Sequence, residues 1–178
     1  MNETNLFDAI RDILGALEQI QVDSTHALLT SASNHGVTDN RQIAYILATA
    51  CHECGLQPIS EHLASREGRP YNNPDPETGQ TYYGRGFVQV TWKGNYASFG
   101  TLLGLDLLHH PELALVPQNA AEIAVIGMKD GRFTGVGLSR YFNDDRTDWI
   151  NARKIINGLD QADRIAGYAQ KIYNSINE

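Results

Sequence analysis

Tyr82-Tyr83-Gly84-Arg85-Gly86-Phe87-Val88-Gln89-Val90-Thr91-Trp92-Lys93-Gly94-Asn95-Tyr96, read together with the upstream run Cys51-His52-Glu53-Cys54-Gly55, decides how this chain is to be understood. A segment so dense in aromatic rings, amides, hydroxyls and glycine suits one wall of a polar groove, and a carboxylic acid stands upstream of it. Phe87 to Trp92 alternates and is rich in β-branched residues, which predicts a short strand or hairpin. On such a strand Gln89 and Thr91 share one side, and Asn95 follows a helical turn later, so three polar side chains converge. Tyr82, Tyr83 and Trp92 could stack on flat sugar faces, although aromatics at strand spacing also suit a core.

Outward from that segment the pattern is helical. Leu6, Ile10, Ile13, Leu14 and Leu17 mark an amphipathic helix over residues 5–20, and a second, shorter one is expected over 24–32. Asp39 followed by Gln42 resembles a capping box for a helix through Ile43, Ile46, Leu47 and Ala50, with Glu53 in its last turn. Gly55 and Pro58 stop that helix, so Glu61 comes from a separate short segment. Residues 66–80 are dominated by Gly, Pro, Asn and Asp and predict a loop beside a cleft. Further helices are expected over 92–103, 119–128 and 160–176, the last with a stripe of Ile165, Tyr168, Ala169 and Ile172. Gly131 to Gly137 is loop, and a short helix over 149–156 ends at Asn157-Gly158.

With 178 residues and 42% hydrophobic composition the chain can bury one real core, so a single domain over 1–178 is expected, with two lobes flanking a cleft. A formal net charge of -7, with no cluster of Lys or Arg, argues against a nucleic-acid partner. The amino terminus lacks a secretory signal and no apolar run is long enough to span a bilayer, so synthesis in the cytoplasm, without membrane insertion, is the expectation. Two cysteines, Cys51 and Cys54, cannot build a disulfide framework. They and His52 invite a zinc reading, but no HExxH pattern follows and only scattered His62, His109 and His110 remain to complete a tetrahedron. No metal and no cofactor are expected. A Cys-His nucleophile is disfavoured because adjacent Cys51 and His52 point to different helix faces.

Glycosidic hydrolysis commonly uses two carboxyl groups, one protonated to release the leaving oxygen and one ionised to activate water. Glu53, at a helix C-terminus and expected beside Phe87 or Trp92, suits the acid, since both the helix dipole and burial disfavour its ionised form. Glu61, eight residues on and beyond a break, suits the partner.

In these motifs the chain resembles the glycoside hydrolase family 19 chitinases and the related phage and bacterial endolysins of the lysozyme-like superfamily, from about Ile43 to Tyr173. The helix ending in His52-Glu53 matches the family's general acid. Gln57-Pro58-Ile59-Ser60-Glu61 is similar to the phage-type segment carrying the second carboxylate, and Arg66-Glu67-Gly68 is similar to the plant-type one, which makes Glu67 the reserve. Tyr83 to Thr91 contains the family's Tyr-Gly-Arg-Gly-x-x-Gln-x-Ser/Thr segment, and Asn95-Tyr96 its Asn-Tyr pair. Ile155-Ile156-Asn157-Gly158 and Ala162-Asp163-Arg164-Ile165 resemble the downstream substrate-binding motifs.

The resemblance implies a mainly α, lysozyme-like α+β fold with a small hairpin or sheet beside the cleft. It implies catalysis by Glu53, Glu61 and Thr91, with inversion, and sugar contacts from His52, Tyr83, Arg85, Gln89, Trp92, Asn95, Tyr96, Asn157 and Arg164. Missing plant-type disulfides and shorter loops point to a monomeric endolysin acting on peptidoglycan after delivery by a holin, a secretion machine or a virion. The alternatives are a chitinase acting on N-acetylglucosamine polymers, a non-catalytic wall-binding phage module, and a metal-dependent hydrolase centred on His52.

Overall fold

The computed structural model describes residues 2–177. Seven helices dominate: α1 (Glu3–Leu14), α2 (Gln19–Asn34), α3 (Asn40–Cys54), α4 (Leu63–Arg66), α5 (Lys93–Leu103), α6 (Pro117–Asp130) and α7 (Ala162–Asn177). Two two-stranded antiparallel pieces complete the fold. β1 (Ile59–Ser60) pairs with β2 (Arg85–Gly86), and β3 (Phe142–Asn143) pairs with β4 (Arg146–Thr147). The mainly helical expectation holds, and among the described residues no helix is long and apolar enough to cross a membrane.

The centre of the molecule is α3. Every residue from Ala44 to Cys51 is buried, and a helix apolar on all sides needs neighbours on all sides. α7 packs along it, α1 lies against α7, and α6 is covered by α2. α7 turns Ile165, Ala169, Ile172 and Ile176 inward, each isoleucine contributing about 1.5–3 kcal/mol by burial. Aromatic contacts close one end, where Phe142 of β3 lies 5.4 Å from Tyr45 and 4.9 Å from Trp149. A second cluster of Tyr82, Val90, Tyr96, Phe99, Leu107, Ala114 and Ile123 sits under α5 and joins the first through Val88 and Phe133.

Element boundaries moved where the chain makes its own stops. The first expected helix splits, because Gly15 turns the chain at φ 87°. α2 then starts five residues early, with the Gln21 side chain accepting from the Glu18 amide at 2.8 Å. Its buried face carries Ser24 and Thr25, which hid it from a hydrophobic pattern. The Asp39 cap is present, accepting from the Arg41 amide at 2.8 Å, but Gln42 does not complete a box; its amide donates to the Phe142 carbonyl at 3.0 Å.

Of the strand or hairpin expected over Phe87 to Trp92, only a tight hairpin turn forms. Only Arg85 and Gly86 pair in β2, and the chain then folds back in a tight turn closed by Arg85 and Val90. Gln89 and Trp92 take φ of 54° and 76°, left-handed values that cost a residue with a side chain about 1–3 kcal/mol each. The turn is held by its hydrogen bonds: the Gln89 amide donates to the Ile59 and Gly86 carbonyls, both at 3.0 Å, and the Trp92 amide to the Tyr82 carbonyl at 2.8 Å.

Candidate active site

α3 delivers Glu53 in its last turn because Gly55 ends the helix in the left-handed region, at φ 60°. The neighbours expected for its carboxylate, Phe87 and Trp92, have partners of their own. Phe87 lies fully in the main core, and the exposed Trp92 packs edge-on against Tyr71, 5.1 Å between ring centres. Glu53 Oε1 instead pairs with Arg153, whose side chain is 4% exposed and whose Nε donates to the Asp160 carbonyl at 3.0 Å. Arg153 therefore comes anchored, and it occupies one carboxylate oxygen while Oε2 has no partner among the described residues.

Glu61 follows β1 and is fixed from three sides. Its amide donates to the Gly84 carbonyl at 2.7 Å, its Oε2 accepts from the Gly84 amide at 3.1 Å, and its Oε1 accepts from the Tyr71 hydroxyl at 3.0 Å. Gly84 is required by this approach, since a Cβ there would lie 2.8 Å from Gln89 Oε1 and 3.3 Å from Glu61 Oε2. Tyr71 rides on a short 3₁₀ turn, Pro70–Asn72, whose loop is stapled to the start of α5 by Lys93 on Asp75 (2.9 Å) and Glu77. Tyr71, Pro74, Trp92 and Lys93 line a surface groove of about 280 Å³. Glu67, the reserve, is exposed at the end of α4.

Thr91, Gln89 and Asn95 do not share a strand face; the turn chains them through the backbone. Thr91 Oγ1 donates to the Gln89 carbonyl at 2.9 Å, and the Asn95 amide donates to the Thr91 carbonyl at 2.7 Å. Both amide hydrogens of Gln89 go to Ile59 and Gly86, so this side chain braces the turn onto β1.

Arg85 and Tyr96, expected to touch sugar, are buried, with Arg85 5% exposed and Tyr96 not at all. One Arg85 nitrogen donates to the Thr81 carbonyl and the Tyr96 hydroxyl, each at 3.0 Å, and that hydroxyl donates to the Tyr83 carbonyl at 2.7 Å. Burial pushes the Tyr96 phenol up to about 12. Tyr83 offers no open stacking face, because the guanidinium carbons of Arg66 and Arg85 both lie 3.7 Å from its ring centre. Tyr82 is core, its hydroxyl on the Leu108 carbonyl.

On the Glu53 side, His52 is half-buried. Burial lowers its pKa, and the charges of Arg153 and Arg164 add to that against the opposing pull of Glu53. The field of Arg164 thus reaches His52. Asn157 is exposed and its side chain accepts from the Gly158 amide at 2.9 Å. Cys51 and Cys54 are free thiols, each pushed up to about 12 by burial, and no cluster of metal-binding side chains is found among the described residues.

Two site residues escaped the sequence reading. Tyr71 is the one aromatic in the Gly, Pro and Asn-rich stretch 66–80, and Arg153 stands just ahead of the Ile155-Ile156-Asn157-Gly158 motif. Either position was a usable signal.

A family model described as Chitinase class I, glycoside hydrolase 19, matches residues 20–129. An endochitinase of Arabidopsis thaliana is 39% identical over 83 residues, which cover 46% of this chain and 30% of that protein. An endochitinase of Phaseolus vulgaris is 51% identical over 90 residues, 43% of this chain and 28% of that protein. An inactive chitinase-like protein of Hevea brasiliensis is 47% identical over 47 residues, 24% of this chain and 15% of that protein. The matched stretch thus spans less than a third of the length of these relatives. Among solved structures, chitinase C from Streptomyces griseus shares the fold with a TM-score of 0.56 and 21% identity, over 94% of this chain and 72% of that one.

Proposed function

This chain belongs to the chitinase class I family, glycoside hydrolase family 19, and from that premise we propose that it hydrolyses β-1,4 bonds in a polymer of N-acetylated amino sugars by single displacement with inversion. The observation that carries the reading is a pair of glutamates in different settings: Glu53 bound at one oxygen by a buried arginine, and Glu61 held at both oxygens by Tyr71 and Gly84. Glu53, through its free Oε2, protonates the leaving oxygen. Glu61 keeps an unused lone pair on each oxygen and takes a proton from the attacking water. The Thr91 hydroxyl, its proton committed to the Gln89 carbonyl, is left as an acceptor that orients that water.

Trp92, 51% exposed, gives the sugar a stacking face. Asn95, His52, Asn157 and Arg164 supply polar contacts to the strand. Peptidoglycan is the substrate we favour, on the strength of the short loops. Chitin is the second reading, favoured by the endochitinase names of the relatives.

Mass spectrometry of products from purified peptidoglycan and from N-acetylglucosamine oligomers, with wild type and Glu53→Gln, tests the proposal. Glu53→Gln is expected to lose about 10²–10⁴-fold in kcat, and proton NMR of the first product should show the inverted anomer. No turnover in the wild type on either substrate, with wall binding the same in Glu53→Gln, would favour the non-catalytic alternative, to which the inactive relative gives some weight; unchanged turnover in Glu53→Gln would take the acid role from Glu53.

A further inference from the structure

Arg66 is the feature the catalytic reading leaves unused. It stands at the end of α4, five residues after Glu61, with its guanidinium carbon 3.7 Å above the ring centre of Tyr83. Tyr83 in turn precedes Gly84, whose amide holds Glu61. The guanidinium forms no ion pair with any described carboxylate, unlike those of Arg11, Arg41 and Arg153, and its Nε is buried without a hydrogen-bond partner. Arg85, on the same ring, also has no carboxylate partner among the described residues. The uncompensated positive field shows in Tyr83 itself: burial pushes its phenol up, but Arg85 and Arg66 outweigh that and bring it below its ordinary value. An arginine held over an aromatic ring by its guanidinium carbon loses freedom of its fork, and the natural complement of such a fork is a carboxylate.

The geometry points to Arg66, set on Tyr83 beside Glu61, as a receptor for a carboxylate carried by the sugar strand, a specificity element that rests on the reading of Glu53 and Glu61 as the catalytic pair. A strand of N-acetylglucosamine alone has no such group. A strand with lactyl or peptide substituents has one on alternate sugars, within reach of a side chain beside the scissile bond. Arg66 thus separates the two substrates that the catalytic machinery by itself treats alike.

Calorimetric binding to the Glu53→Gln protein tests this with four tetrasaccharides. These are alternating N-acetylglucosamine and N-acetylmuramic acid with free lactyl carboxylates, the same compound with those carboxylates amidated, the peptide-bearing strand, and the N-acetylglucosamine tetramer. The lactyl or the peptide-bearing compound is expected to bind about 10-fold more tightly than the neutral ones, and whichever does so identifies the source of the carboxylate. Adding Arg66→Gln should abolish that preference while neutral affinities stay within about two-fold, and Arg66→Lys should restore it only in part. Equal affinities for charged and neutral strands overturn the proposal, as does a parallel loss on all four compounds with Arg66→Gln. Should Glu53→Gln remain active, the catalytic reading fails, and the same comparison in the wild type at low temperature still decides the receptor.

Discussion

Arg85 sits at the centre of a small buried network, and its acceptors are all within the fold: the Thr81 carbonyl, the Tyr96 hydroxyl and the Tyr83 ring. Removing it leaves buried polar groups unpaired, so Arg85→Met should destabilise the protein by about 2–4 kcal/mol and Tyr96→Phe by about 1 kcal/mol, measured by urea unfolding. The KM of the folded Tyr96→Phe variant should be unchanged; a raised KM at full stability would return Tyr96 to the sugar. Tyr71 behaves in the opposite way. Its hydroxyl reaches Glu61 from a surface loop, and Tyr71→Phe removes an aim and little stability. A fall of about 10-fold in kcat with KM nearly constant is expected. Steady-state kinetics that move KM alone would make Tyr71 a substrate contact. Glu53, Glu61, Thr91 and Trp92 stand out as candidates from residue type and neighbourhood alone. Tyr71 and Arg153 offered only their positions in the loop and beside the downstream motif, because their partners, ten and a hundred residues away, are chosen by the fold.

The turn from Gly84 to Trp92 is where the sequence pattern misleads. β-branched alternation reads as a strand, yet Gln89 and Trp92 adopt left-handed backbone angles. Side-chain hydrogen bonds across 30 residues, from Gln89 to the Ile59 carbonyl, make the turn the better solution, and propensity has no knowledge of so distant an acceptor. By contrast α3, α5, α6 and α7 were readable because their stripes and their Gly or Pro boundaries are local. The hairpin of β3 and β4 is too short to leave a periodic signal. Because the turn carries the Glu61 contact, its integrity should be felt in catalysis. Gly84→Ala pushes a methyl group to 2.8 Å from Gln89 Oε1, so about a 10²-fold loss of kcat is expected from the displaced Glu61, alongside a destabilisation of about 1–3 kcal/mol. Circular dichroism and kinetics on the same sample check both, and full activity in Gly84→Ala would show that Glu61 is not held by this turn.

Across the whole molecule, acid is expected to weaken the fold in two stages. Burial lowers the His52 pKa from its ordinary 6.5, so the unfolded chain takes up this proton first, and stability rises with pH between the folded value and 6.5. Lower down, Asp39 and Asp148 lie below their ordinary 3.8. For Asp39, burial pushes up but the Arg41 contacts outweigh it; for Asp148, the Asn151 amide leads. Their contribution is complete above 3.8 and is lost as pH falls through their folded values. Thermal melts of wild type and His52→Gln from pH 3 to 8 should therefore differ in slope only over the upper window. Identical slopes there would remove His52 from the acid response. The central helix α3, complete by Cys54, is sheathed by α7, and its terminal carboxylate is met by Arg153, so both coverings are translated about a hundred residues later. A nascent chain emerging from the ribosome carries α3 with its longest apolar flank uncovered and Glu53 without its arginine until residues 151–177 are released. That interval is the longest opportunity for a chaperone to bind this stretch of the polypeptide.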